Sequence, residues 1–422
     1  MSPVLSKAAL SSLPAIAGGT PIRSADRPLV FGAPCIGEEE IDAVTECLRS
    51  GWIGQGKKVE QFECEFALYK GVRSAVAVNS GTSALQLAFL AIDLQSGDEV
   101  IAPSMTFPPS LQAITYAGGT PVLVDCRRDT FNIDFQAIAR AVTPRTRAIL
   151  VVHMGGLCCD MDPILSLARR HNLRVVEDCA HAIEARYKNS FSGTIGDIGC
   201  FSFYPTKNLT TGDGGMVISR HSALLSQMRL MSQQGMTAGA WNRFQSGDGT
   251  YSVVARGFKC GMNDIAASLG LVQLSRLDAR AERRKQVWEN YHEALWGLTV
   301  ALPAIPEGYR HACHLFSLLL DLEDLAVSRN EVVAALRAEN IGTGVHYVPA
   351  HEQPYYRQTL DLVPENFPNA GFIGERTISL PISSEMTADD VADVSAALAR
   401  ILRYFRAEGQ PGYQSVSRSV AR

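Results

Sequence analysis

No stretch of this chain approaches the ~18 uninterrupted apolar residues that a membrane-spanning helix requires. An excess of one charge is also missing: 39 Lys and Arg stand against 43 Asp and Glu, a formal net charge of −4. Nucleic acids and anionic lipid surfaces are recognised by clustered Lys and Arg, so neither is expected as a partner, and small molecules are. The ten cysteines, at positions 35, 47, 64, 126, 158, 159, 179, 200, 260 and 313, lack the framework of a small disulfide-stapled scaffold. The one adjacent pair, Cys158-Cys159, has no second pair at zinc spacing, so no metal is expected. The thiols read as reduced, buried small hydrophobes of a cytoplasmic protein. The opening MSPVLSKAALSSLPAIAGG has one Lys and an apolar run broken by Ser, Pro and Gly, too weak for a secretory signal. Internal repeats are absent as well.

What is present is a long chain, 422 residues with 46% hydrophobic and 19% charged, enough for one large domain and one smaller one. Residues 1–28 are rich in Ser, Gly, Pro and Ala and are expected to form a mobile arm. From residue 29 to about 290, short β-branched runs alternate with helical patterns: strands near 74–78, 99–102, 121–124, 148–152 and 174–177, with helices from about 82, 111 and 163. That alternation predicts an α/β domain with a mainly parallel sheet and helices on both faces. Closely spaced short strands follow at 198–203 and 215–219. A helical stretch from Asp264 to about Trp296 is expected to connect to a smaller C-terminal α/β domain over 291–406. There a strand at 315–320, helices at 329–339 and 389–404, and an alternating piece at 344–348 are predicted. The polar tail, 407–422, is expected to be disordered.

Three segments carry candidate chemistry. Val175-Val176-Glu177-Asp178 is an apolar strand ending in two acids, and ligands of open α/β sheets sit at such strand ends. A carboxylate there can keep a pyridine nitrogen protonated, which is what makes pyridoxal phosphate an electron sink. His181, three residues on, can fall on the same side and touch the ring's phenolic oxygen. In Phe201-Ser202-Phe203-Tyr204-Pro205-Thr206-Lys207, an apolar strand breaks at Pro205 and presents a lone Lys in a Gly- and Thr-rich turn. A lysine that forms and exchanges a Schiff base needs a flexible stem, a partly desolvated amine and a loose backbone around it. The third segment, Asn79-Ser80-Gly81-Thr82-Ser83, follows a strand and opens a helix, where backbone N–H groups and hydroxyls can close on a phosphate. It is neither the GxGxxG nor the Walker pattern, which disfavours the cofactors those motifs hold. Phe107, after the next strand, can stack on a flat ring. Each feature alone also has a plain structural reading: a capped loop, a surface lysine, a capped helix start, a core aromatic.

The combination NSGTSAL, EDCAHA and FSFYPTKNLTTGDGG resembles the fold-type I pyridoxal-phosphate aminotransferases that act on sugar nucleotides, the DegT/StrS group. SGWIGQGKKVEQFE, GFKCGMNDIAASLGLVQL, IGTGVHYVPAHEQPYY and SLPIS extend the resemblance over about residues 30–405. It implies Lys207 as the Schiff-base lysine, Asp178 as the partner of the pyridine nitrogen and His181 beside the phenolic oxygen. Phe107 matches the stacking aromatic, and Gly81, Thr82, Ser83 and Ser202 the phosphate cradle. It also implies a homodimer with sites at the subunit boundary, L-glutamate as amino donor and a nucleotide-linked ketosugar as acceptor. Lys259 stands where the family often has an Asn that reaches the neighbouring subunit's phosphate, so it is either a phosphate contact or a structural cation. Gly261 replaces a larger polar residue. Trp52, Ile53, His314, His346 and Tyr347 are candidate substrate contacts, each equally readable as interface or core, with Trp52 favouring the interface. Two other readings stay open: a different pyridoxal-phosphate reaction, such as transamination of a ketocyclitol, an elimination or a carbon-bond step, or a non-catalytic sensor.

Overall fold

The computed structural model describes residues 13–237, 239–246 and 250–407. A seven-stranded sheet contains β1 (Ala75–Val78), β2 (Glu99–Pro103), β3 (Thr120–Val124), β4 (Thr146–Val152), β5 (Arg174–Asp178), β6 (Ile198–Ser202) and β7 (Gly215–Ser219), in the order β1-β7-β6-β5-β4-β2-β3. All neighbouring pairs are parallel except those of β7, which is antiparallel to both β6 and β1. β6 and β7 are joined without a helix, and a direct connection of that kind returns the chain antiparallel.

The strands read as continuous apolar runs because both faces of the sheet are covered. On one face Val76, Val100, Leu150, Val176 and Val217 pack with residues of α2 (Gly81–Ala91) and α3 (Pro108–Tyr116). On the other, Ile149, Val151 and Val175 meet α4 (Met161–His171), while Ala75, Ala77, Phe201 and Met216 meet Phe62 and Phe66 of α1 (Lys57–Lys70). Phe62, Phe66 and Phe201 are fully buried, and replacing any of them with Ala would cost about 3–5 kcal/mol.

A second, antiparallel sheet has β9 (Phe316–Leu320) between β8 (Val300–Ala301) and β10 (Thr377–Leu380). With α7 (Arg329–Ala338) and α8 (Ala388–Tyr404) it encloses a core of its own, including Phe316, Leu318, Leu336, Ile378 and Leu398. The helical stretch expected from Asp264 to Trp296 is two helices, α5 (Asp264–Ser275) and α6 (Leu277–Ala294), broken at Arg276. The break follows from burial: Ala267, Leu274 and Leu277 belong to the large-sheet core, whereas Val287, Trp288 and Tyr291 belong to the second core. One straight helix would not present both stripes to both cores.

Two expectations about irregular segments differ from the structure. The piece at 344–348 is no strand: it is a loop tied by a single bridge, Gly344 with Ser379, and it contains a cis His346–Tyr347 peptide. From residue 13 onward the expected loose arm is fastened to the second sheet's side of the molecule, as described below. Its first twelve residues, and residues 408–422 of the expected tail, lie outside the described residues. Among the described residues no helix is long and apolar enough to cross a membrane, and all ten cysteines are free thiols.

Candidate active site

A cavity of about 500 Å³ opens where the parallel strands end. Gly81, Thr82, Phe107, Asp178, His181, Ser202, Lys207, His346 and Tyr347 all line it, although they come from five separate stretches of chain.

Asp178 is the last residue of β5 and is buried. Its Oδ2 accepts from the Ser110 hydroxyl at 2.8 Å and its Oδ1 from the Ala180 N–H at 3.0 Å. Burial pushes the carboxyl group above the usual carboxylate range, opposed by the Ala180 N–H, the Ser110 hydroxyl and the positive charge of Lys207. Lys207 sits in the turn after β6, where Pro205 ends the strand. Desolvation lowers its ammonium to about 8, against the pull of Asp178 in the other direction. On the order of a tenth of such an amine is neutral at pH 7, far more than for an exposed lysine. A half-buried nucleophilic amine and a buried carboxylate lining one cavity form a chemical arrangement rather than a structural one.

The opposite end of the cavity is formed by the start of α2. The Ser80 hydroxyl caps that helix, accepting from the Ser83 N–H at 3.1 Å. A Cβ on Gly81 would lie 2.7 Å from the Cβ of Ser202, so only glycine lets the helix start and the end of β6 come this close. The N–H groups of this first turn have no partners within the helix and sit at its positive end. Thr82 and Ser202 face the cavity, whereas Ser83 does not line it: its hydroxyl donates to Asn79 Oδ1 at 2.7 Å.

Three histidines cluster on the far side, all held below the usual histidine range by burial and by the charge of Lys207. His181 Nδ1 accepts from the Gly155 N–H at 3.3 Å, so its proton sits on Nε2, which donates to the Tyr347 hydroxyl at 3.0 Å. His314 does not line the cavity. It packs behind His181, ring centroids 4.7 Å apart, and bonds through Nδ1 to Asn208 Oδ1 at 3.0 Å. Because the Asn208 amide donates to Glu184 and to the Ala312 carbonyl, its oxygen is the acceptor in that bond. His346, at about 4, bonds to the Ser379 hydroxyl at 2.8 Å.

Besides Ser83 and His314, three more sequence-selected residues lie outside the cavity. Trp52 packs edge-on against Trp241 at 4.7 Å and near Phe244 at 5.2 Å, Ile53 is exposed beside it, and Lys259 is exposed next to Gln233. Conversely, the cavity uses residues that sequence reasoning passed over: Phe31, Ser80, Ser110, Tyr204 and Thr206. Ser110 had a signal, standing three positions after Phe107 at the start of a helix. Phe31 had none. His153, Glu177 and Cys179 also come within 4.8 Å of one another. Glu177 is already satisfied there by His153 Nε2 at 2.8 Å and by the N–H groups of Gly193, Ile195 and Gly196, which gives it a structural role.

Comparison with known proteins agrees with this geometry. The profile described as "DegT/DnrJ/EryC1/StrS aminotransferase family" matches residues 34–399. The chain is 45% identical over 378 residues to the spore coat polysaccharide biosynthesis protein SpsC of Bacillus subtilis (strain 168), covering 89% of this chain and 97% of that one. Among solved structures, Spr1654 from Streptococcus pneumoniae, known in PLP and PMP forms, superposes with TM-scores of 0.83 and 0.84 at 31% identity. The PMP form covers 89% of this chain and 99% of Spr1654. DesI, solved in the presence of its TDP-sugar product, superposes with a TM-score of 0.82 at 30% identity, covering 92% of this chain and 96% of DesI.

Proposed function

The chain belongs to the DegT/DnrJ/EryC1/StrS aminotransferase family, and we propose that it moves an amino group from L-glutamate to the keto group of a nucleotide-linked sugar, with Lys207 as the Schiff-base lysine. Its class of chemistry is pyridoxal-phosphate-dependent amino transfer on a fold-type I scaffold. The observation that carries the specific reading is the half-buried Lys207 amine, lowered to about 8, sharing one cavity with the buried Asp178 carboxylate.

The residues present fit the cofactor. The Asp178 oxygens each accept one bond from the protein and retain lone pairs for a ring N–H. The close approach of Gly81 to Ser202 leaves a small-walled, N–H-rich recess of the kind a phosphate enters. When bound, pyridoxal phosphate supplies an electron sink for charge developing on the carbon that carries the amine. Asp178 holds the ring nitrogen protonated. The neutral amine of Lys207 would be the group that accepts and returns a proton at the substrate carbon. Thr82, Ser202 and the Gly81 backbone would hold the phosphate, Phe107 would cover the ring, and His181, oriented by Gly155 and Tyr347, would stand by the phenolic oxygen.

The functional unit is a cytoplasmic homodimer in this reading. The Trp52–Trp241–Phe244 cluster with exposed Ile53 forms part of its interface, and Lys259, outside its own cavity, reaches the partner's phosphate. The cofactor-binding domain covers residues 29–290 and the smaller domain residues 291–406.

The test is to load the purified protein with pyridoxal phosphate, supply L-glutamate and a panel of nucleotide-linked ketosugars and ketocyclitols, and measure 2-oxoglutarate. Turnover with a nucleotide ketosugar is expected; turnover with ketocyclitols alone would replace the proposed acceptor.

A further inference from the structure

The N-terminal segment precedes the family match, which begins at residue 34, and the structure gives it a defined course. The buried carboxylate of Glu339, at the end of α7, accepts from the backbone N–H of Ala15 and of Ile22, each at 2.9 Å, and is paired with buried Arg400. Arg400 also donates to the Thr20 carbonyl at 2.9 Å. Arg23 bridges Asp390 and Asp393 of α8 at 2.7 and 2.8 Å. Leu29 then pairs with Ile341 through two backbone hydrogen bonds, Leu29 N–H to Asn340 O and Gly342 N–H to Leu29 O. With its path determined on this side, the chain enters the cavity at Phe31.

The Phe31 ring lies 5.5 Å from that of His346, and a Cβ on Gly344 would stand 2.6 Å from His346 Cε1 and 2.8 Å from Phe31 Cζ, so a side chain at 344 would crowd both rings. At Gly32 the backbone turns with φ +67°, and a Cβ would come 2.8 Å from the Thr206 side chain, adjacent to Lys207. The segment therefore runs from the second sheet's core to the turn bearing the reactive lysine, and it projects one aromatic side chain into the site on the way.

We propose that Phe31 is a wall of the acceptor subsite, packing against the apolar face of the keto substrate's sugar ring, and that residues 13–30 are the strap that holds it there. This inference rests on the proposed sugar-nucleotide acceptor. The chemistry favours the acceptor over the amino donor. A dicarboxylic amino acid is recognised by cations and hydrogen-bond donors, and Phe31 offers neither. Sugar rings present patches of C–H that pack on aromatic rings, and this wall stands beside His346, on the loop that comes from the second sheet's side.

The test separates the two half-reactions in the full-length, cofactor-loaded protein. Amine transfer from L-glutamate is followed by the change in cofactor absorbance, and the reverse change is followed with the aminated cofactor form and a nucleotide-linked 4-ketosugar such as dTDP-4-keto-6-deoxyglucose. For Phe31→Ala we expect the glutamate half to change by no more than about two-fold while kcat/KM for the ketosugar falls at least about ten-fold, with Phe31→Leu in between. Arg23→Ala, which loosens the strap, should raise the ketosugar KM by about three-fold with kcat little changed. Equal losses in both halves, or an unchanged ketosugar half, would overturn the role. If the unaltered protein accepts amine from glutamate but passes it to no nucleotide ketosugar, the acceptor reading itself fails and this inference falls with it, an outcome distinct from an unresponsive Phe31 variant.

Discussion

Asp178, Ser202 and Lys207 stand at or just beyond strand ends of the seven-stranded sheet, held by bonds and turns made within regular structure, whereas Phe31, His346 and Tyr347 arrive on loops from the second sheet's side. The first group is the floor of the cavity and the second its roof. The floor is polar and electrostatically coupled: Asp178 raises the Lys207 amine, and Lys207 in turn lowers the Asp178 carboxyl. The roof is aromatic, and its polar atoms are spent on neighbouring protein groups, Tyr347 on His181 and His346 on Ser379. A floor of this kind suits proton transfer to a common cofactor; a roof of this kind suits discrimination among substrates.

The comparison can be broken most severely at the floor. Lys207→Ala should abolish the visible absorbance of the cofactor-loaded protein and lower turnover by about 10⁴-fold or more, because no other amine lines the cavity among the described residues. A variant that keeps the spectrum would remove Lys207 from its role. Asp178→Asn keeps the shape but loses the charge, and turnover should fall by about 10²–10³-fold in single-turnover kinetics with L-glutamate.

The same substitution carries a pH signature. Capture of the aldehyde requires the neutral amine, so its rate in the apoprotein should rise with pH and level off above about 8. Asp178 is the charge that holds Lys207 up; without it the amine is lowered further, and the midpoint of the profile should move to lower pH in Asp178→Asn. A profile that moves upward, followed by cofactor absorbance, would contradict the assigned coupling.

Smaller effects come from supporting groups. Ser110→Ala removes one donor to Asp178, which raises that carboxyl further, and should cost about ten-fold in kcat, or ~1.4 kcal/mol, with substrate KM values little altered. At the roof, Tyr347→Phe frees the His181 proton and should cost about three-fold, falling more on the ketosugar half-reaction than on the glutamate half. A Tyr347 effect larger than that of Ser110 would reverse the assignment of floor and roof.

Much of the floor was legible from sequence because each element is local. A strand that ends in Asp178, a strand broken at Pro205 before Lys207, and a helix opening at Gly81 are each written within ten residues. The mainly parallel sheet followed from the alternation of apolar runs with helical patterns. Ser83 was misplaced as a hydroxyl contact because helix-start chemistry does not say which of two neighbouring serines caps and which turns outward: Ser80 faces the cavity and Ser83 is bonded to Asn79. The unbroken helix over 264–296 failed for another reason, since apolar spacing continues through Arg276 while the core it serves changes. The segment from residue 13 looked loose by composition, yet backbone groups of Ala15, Thr20 and Ile22 dock it together with the Arg23 side chain, and backbone groups leave no compositional trace.

By itself, the order of residues determined the strand-end acid, the lysine in its glycine-rich turn and the helix start that can receive a phosphate, because each depends on hydrogen bonding and conformational preference over a few neighbouring positions. Only the tertiary structure decided that Phe31, more than three hundred positions from His346, shares a cavity with it, and that His314 supports His181 instead of facing substrate. Such contacts arise from the packing of two cores against each other, and packing joins residues by shape and burial regardless of their distance along the chain.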